Sequence, residues 1–191
     1  MTHITRICGK SGNNRTVKRM AIAAAALPAA LLLGSCALPN SSAVPAEYEG
    51  AVRKAAKSCK ALKPHVVAAQ IEAESGWDPN AISRRNAQGI AQFIPSTWEA
   101  WGQDTDKNGL ASPFDPKDAI AAQGRLMCHL IDRAESSSLT QNPVRLALAG
   151  YNAGWGAVEE HRGIPPYPET QDYVTKISDR APAYRKTLRN S

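Results

Sequence analysis

Several things are scarce in this sequence. Aromatic residues make up only 6% of the 191-residue chain, and there are four cysteines and four histidines. No CxxC or HxxxH spacing occurs, which excludes a zinc site of ordinary spacing. His3, His65, His129 and His161 are scattered and have no serine or cysteine partner in motif spacing, so histidine-based nucleophilic catalysis is excluded as well. Strand signals are weak throughout, and the fold is read as all-α. The longest apolar run, residues 20–33, is too short to span a bilayer comfortably as a permanent helix.

Acidic residues are absent from residues 1–36, which hold Arg6, Lys10, Arg15, Lys18 and Arg19. The formal charge of +6 is therefore concentrated there; the remainder carries 18 basic and 17 acidic residues. No Lys/Arg run interleaved with aromatics is left, so nucleic acid is excluded as a partner. A basic stretch, an apolar run and the small residues Gly34-Ser35 have the three parts of an export signal. Leu33-Gly34-Ser35-Cys36 resembles the lipobox of bacterial lipoproteins, in which the cysteine becomes the lipidated first residue. Ordinary cleavage beside an incidental cysteine, or an uncleaved anchor, are the alternatives. The expected organisation is a signal peptide over residues 1–35, a lipidated N-terminus and tether over 36–47, and one domain over 48–191. A lipid at Cys36 would anchor an exported, monomeric domain to a membrane, facing the cell wall.

With Cys8 in the leader and Cys36 at the lipid position, Cys59 and Cys128 remain. An even pair in an oxidising compartment argues for a disulfide, and two buried thiols are the alternative. A first helix is expected over residues 46–60, with its lysines on a solvated face. Asn142-Pro143 and Asp115-Pro116 read as cap followed by first helical residue, and Ser96 with Glu99 reads as a capping box. The helix after Asp115 runs to about residue 134 and carries Cys128; the last helix begins near Thr170.

The stretch with the most chemistry is Ile71-Glu72-Ala73-Glu74-Ser75-Gly76-Trp77-Asp78-Pro79. Pro64 opens a helix that Gly76 closes, leaving Glu74 in its last turn. Peptide dipoles present negative charge at that end, which disfavours an ionised carboxylate and makes Glu74 a candidate general acid. Glu72 points to another side of the helix, Glu99 and Asp115 read as caps, and Asp78 is the nearest other acid. A solvated glutamate is the plain alternative for Glu74.

Glu74-Ser75-Gly76 is followed by Gly89-Ile90-Ala91-Gln92, then by Ala149-Gly150-Tyr151-Asn152-Ala153-Gly154 and by Pro168-Glu169-Thr170-Gln171-Asp172-Tyr173-Val174. This ordered set resembles the soluble lytic transglycosylase family, over about residues 62–177. The resemblance implies a goose-type lysozyme-like domain with a substrate groove that cleaves peptidoglycan glycan strands. It implies Glu74 as sole acid and base, Ser75 and Gln92 lining the groove, Tyr151 and Asn152 orienting the reacting sugar, and Glu169 and Tyr173 as further substrate contacts. Many relatives have Gly-Leu-Met-Gln where this chain has Gly89-Ile90-Ala91-Gln92. A single acid suffices where the substrate's own N-acetyl group stabilises the cationic centre, and the implied product carries a 1,6-anhydro ring. A hydrolysing muramidase and a glycan-binding lipoprotein without activity are the rival functions.

Asp104, Asp106, Asn108 and Asp115, with Gly109 at the sixth position, have the spacing of an EF-hand-type calcium loop, and some similar transglycosylases carry one. Lys107 and the shorter twelfth-position acid fit a plain turn better, so no cofactor is expected and calcium stays open.

Overall fold

Proline sets the start of five of the seven helices seen among the described residues of this computed structural model, which are residues 43–189. Its fixed φ and missing amide suit the first helical position, where the N–H has no intrahelical acceptor. The helices are α1 (Ala46–Ala55), α2 (Pro64–Ser75), α3 (Pro95–Trp101), α4 (Pro116–Glu135), α5 (Pro143–Ala153), α6 (Trp155–Glu160) and α7 (Pro168–Leu188). Two isolated bridges, Ile82 with Gln88 and Gln88 with Phe93, are the only β pairing among the described residues, and no sheet forms. The expected signal peptide, Cys36 and most of the tether lie outside the described residues. No helix among those described is long and apolar enough to cross a membrane.

Local chemistry accounts for most helix ends. Asp115 accepts from the amides of Lys117 and Asp118, and Asn142 from those of Val144 and Arg145, so both act as side-chain caps. Gly76 adopts φ 63° and ends α2 at the expected place. The capping box at Ser96 and Glu99 does not form. Pro95 takes the first helical position, Ile94 becomes the cap residue, and Ser96 is left inside the helix. The first helix stops at Ala55 rather than near residue 60: Lys57 and Ser58 donate back three residues, to Lys54 and Ala55, in a tightening turn that leads to Cys59. The short α6 carries no clear signal in the sequence, and α7 begins two residues before Thr170.

α4 is central, burying Ala119, Ile120, Ala122, Met127, Leu130 and Ile131. It packs on α5 and α1, while α7 crosses α2 and also meets α5. Each fully buried aliphatic side chain contributes about 1.5–3 kcal/mol. At Gly124 a Cβ would lie 2.7 Å from the Ala55 carbonyl oxygen, so only glycine lets α1 approach α4 this closely. Cys59 and Cys128 form a disulfide across 69 residues, tying the α1–α2 corner to α4. Together these contacts fix α2 between α1, α4 and α7, which positions its C-terminal end.

The disulfide supplies about 4 kcal/mol in the chain-entropy account. A Cys59→Ala, Cys128→Ala double variant is expected to unfold about 10 °C below the parent in a thermal melt followed by circular dichroism. An unchanged midpoint would contradict a stabilising role.

Candidate active site

Glu74 lies on the last turn of α2, one turn beyond Gln70, so the two side chains share a face. Tyr173 of α7 meets that face: its hydroxyl donates to Glu74 Oε1 and accepts from Gln70 Nε2 at 3.1 Å. Burial pushes the Glu74 carboxyl up to about 7, against the opposing pull of the Tyr173 hydrogen bond and of Lys176 on α7. Low-dielectric surroundings penalise the charged form of an acid, so the proton is retained into the neutral range. Burial, rather than the helix end from which a raised value is expected, is the cause of this shift. Burial first and the Glu74 charge second also push Tyr173 and Tyr151 well above the usual phenol range, so both stay protonated.

A short loop closes the other side. Gln88 and Phe93 exchange backbone hydrogen bonds at 2.9 and 3.0 Å, and residues 89–92 turn between them with Gln92 at φ 51°. Ser75 Oγ donates to the Ile90 carbonyl and Tyr151 Oη to the Ala91 carbonyl, both at 2.8 Å. The Gln92 amide donates to the carbonyls of Gly89, at 3.0 Å, and Ala81, at 3.2 Å. Ser75, Gln92 and Tyr151 are therefore brought together, but each spends a polar group holding the loop. Phe93 packs edge-on against Tyr151 with centroids 6.0 Å apart. Asn152 Oδ1 accepts from Thr170 Oγ1 at 2.8 Å, joining the end of α5 to the start of α7.

The remaining acids have other occupations. Glu72 forms a two-pronged pair with Arg180 at 2.6 and 2.7 Å. Asp78 accepts from the Asn80 amide in a local turn. Glu169 is exposed and sits 3.7 Å from Arg85, also exposed, a pair of little energetic weight. It is not joined to Glu74. Three residues without a role in the sequence analysis do take part: Gln70 through Tyr173, Lys176 through its charge, and Thr170 through Asn152. A glutamine in an apolar helical run, one turn before a candidate acid, is the signal in the sequence that points to the first of them.

The acidic loop is assembled differently from its expected ligand set. Asp104, Asp106 and Asp118 bring one carboxylate oxygen each within 4.8 Å of the others. Asp115 instead caps α4 with one oxygen and accepts from Asn108 Nδ2 with the other. Asp118, fully buried, accepts from the amides of Thr105 at 2.6 Å and Ser112 at 3.2 Å. Asp104 accepts from the amides of Asn108 and Gly109, and Lys117 Nζ lies 3.4 Å from Asp106. Backbone amides and one ammonium thus answer these carboxylates. The same loop supports the site, because Pro113 presents its carbonyl to Gly89.

These features meet a known pattern. Residues 51–174 match the family model described as Transglycosylase SLT domain, well over half of the chain. The chain belongs to this family. Among its relatives, the membrane-bound lytic murein transglycosylase F of Maricaulis maris is 29% identical over 132 residues, covering 65% of this chain and 27% of that protein. The membrane-bound lytic murein transglycosylase D of Escherichia coli K12 is 30% identical over 117 residues, covering 54% of this chain and 24% of its own. The SLT chain thus spans about a quarter of the length of these relatives. The fold is shared with the 70 kDa soluble lytic transglycosylase of Escherichia coli, at TM-score 0.59 and 21% identity over 74% of this chain and 25% of that one. A complex of the 70 kDa soluble lytic transglycosylase with bulgecin A superposes at TM-score 0.61, with 21% identity over 75% of this chain and 25% of the other. The all-α, lysozyme-like reading of the SLT chain is correct.

Two outcomes are expected from this geometry. At Gly89, with φ 71°, a Cβ would lie 1.7 Å from the Pro113 carbonyl oxygen. Gly89→Ala is expected to cost about 2–4 kcal/mol and to displace residues 89–92, read by chemical denaturation and by loss of amide-exchange protection there. Glu74 holds its proton more tightly in the folded chain, at about 7 against an ordinary 4.5. Its stabilising contribution is present below about pH 4.5 and is lost as pH rises through about 7, at most about 3 kcal/mol in all. Glu74→Gln escapes this loss, so the variant should match the parent at pH 4 and exceed it in thermal midpoint at pH 8.

Proposed function

We propose that this SLT chain is a peptidoglycan lytic transglycosylase. It cleaves the β-1,4 bond from N-acetylmuramic acid to N-acetylglucosamine, leaving 1,6-anhydro-N-acetylmuramic acid ends. The observation that carries this is a half-buried carboxyl on the last turn of α2, Glu74, whose Oε1 accepts from the Tyr173 hydroxyl and whose pKa burial pushes up to about 7. The relatives' names as lytic murein transglycosylases support the substrate class.

In the reaction, Glu74 gives its proton to the glycosidic oxygen as the bond to C1 breaks. The substrate's N-acetyl oxygen stabilises the cationic C1, as in substrate-assisted glycosidases, so the missing second acid is no obstacle. The C6 hydroxyl then attacks C1 and loses its proton to Glu74, which returns the acid to its starting form without water. Tyr173 supports the carboxylate between these steps by donating to Oε1. Ser75, Gln92 and Tyr151 hold the loop at residues 89–92, and the Thr170 bond to Asn152 ties the end of α5 to the start of α7. Cys36 is read as the lipidated residue of a membrane-anchored protein in the cell envelope, with the tether giving reach to the wall; that the relatives are named membrane-bound supports this. The acidic loop at Asp104, Asp106 and Asp118 is read as a self-satisfied structural turn rather than a cofactor site.

Purified sacculi treated with the protein should release muropeptides lighter by one water than the hydrolysis products, by mass spectrometry. Glu74→Gln should release none. Products of hydrolytic mass would identify a muramidase instead, and sacculi retained without soluble fragments by both proteins would identify a glycan-binding module.

A further inference from the structure

Gln70 is a buried polar side chain beside the acid to which the proposed reaction gives no part. It has no solvent exposure, and its Nε2 lies 3.1 Å from the Tyr173 hydroxyl oxygen. Its Oε1 is buried without a hydrogen-bond partner among the described residues. A buried amide left half satisfied is costly, so its place in an otherwise apolar stretch of α2, among Val67, Ala68, Ala69 and Ile71, asks for a reason. The reason lies in direction. An amide nitrogen only donates, and a phenol has a single proton to give. With Gln70 donating to the oxygen, the Tyr173 proton must go elsewhere, and Glu74 Oε1 is the acceptor in contact.

We propose that Gln70 is a positioning residue: by donating to Tyr173 it commits that hydroxyl's proton to Glu74 Oε1, so that Oε2 alone carries the proton given to, and later recovered from, the substrate. This rests on the reading of Glu74 as the acid. One carboxyl oxygen is then permanently the supported one and the other permanently the reacting one. The same oxygen that loses a proton to the glycosidic bond is open to take the C6 hydroxyl proton back. The groups facing Glu74 are Tyr173 and Lys176 from α7 and Tyr151 from α5, with Gln70 on its own helix. Tyr173 and Lys176 hold the Glu74 carboxyl lower than burial alone would. Donation from Gln70 makes Tyr173 more acidic and its hydrogen bond to Glu74 stronger.

The test is a carbon-13 carboxyl titration of Glu74 by nuclear magnetic resonance in the full chain, for the parent, Gln70→Leu, Gln70→Met, Tyr173→Phe and the Gln70→Leu, Tyr173→Phe pair. Both Gln70 variants remove the donor and the orphaned oxygen with little change of volume, and the unbranched methionine serves if leucine does not pack. Loss of the donor should move the Glu74 midpoint up by about half a pH unit or more. The alkaline limb of kcat/KM for muropeptide release should move with it. In the Tyr173→Phe background the same Gln70 change should move the midpoint no further, because the influence passes through the hydroxyl. A midpoint unchanged in a folded Gln70 variant, or a shift of equal size with and without Tyr173's hydroxyl, overturns the proposal. Failure of the acid reading shows elsewhere, as muropeptide release that survives Glu74→Gln.

Discussion

One half-buried acid held against one phenol is the interaction on which the site depends. Glu74 sits where α2 ends, and Tyr173 reaches it from α7, so the pairing of these two helices is also the pairing of their hydroxyl and carboxyl. The Glu72–Arg180 pair and the Trp77 indole bonded to the Tyr184 hydroxyl at 3.1 Å join the same end of α2 to α7. Packing and chemistry thus share one interface: the contacts that bury the acid enough to hold its proton are those that keep α7 on α2.

The loop opposite Glu74 is held by the same economy. Three polar side chains expected at the groove, Ser75, Gln92 and Tyr151, donate to carbonyls of Ala81, Gly89, Ile90 and Ala91. Buried backbone needs partners, and these side chains add to the loop's own backbone bonds, Gly89 to Ala81 and Gln92 to Gly89 among them. Ser75 comes directly after Glu74, so the residue that anchors the loop is set by the helix that presents the acid. The groove wall and the proton donor are therefore placed by one element, and the 104–118 loop props the wall from behind through Pro113 and Gly89.

Much of this was legible in the amino-acid order. Pro64 and Gly76 bracket α2 as expected, Asp115 and Asn142 cap their helices, and Cys59 meets Cys128. The departures have common causes. Ser96 loses its capping role because Pro95 takes the first helical position, and α1 is cut short by a turn whose bonds cannot be inferred from helical periodicity. Side-chain roles were least readable: Ser75, Gln92 and Tyr151 meet at one loop, where their hydrogen bonds go to backbone carbonyls that no spacing in the sequence points to. Gln70 is hidden inside an apolar run, where a polar residue reads as helix filling until a partner 103 residues away is seen. Asp118 escapes notice for the same reason, its donors being amides of a loop rather than a spaced motif.

Gln70, Glu72, Glu74 and Ser75 sit within six consecutive positions of one rigid spiral, Gln70 and Glu74 committed to Tyr173, Glu72 to Arg180 and Ser75 to the Ile90 carbonyl. Tilting that spiral as a body would carry all four together and preserve their mutual spacing. Inserting or deleting one residue between Gln70 and Glu74 would instead swing the C-terminal portion by about 100° relative to the N-terminal portion. The spacing between Gln70 and Glu74 is thus as much a part of the site as the two side chains themselves.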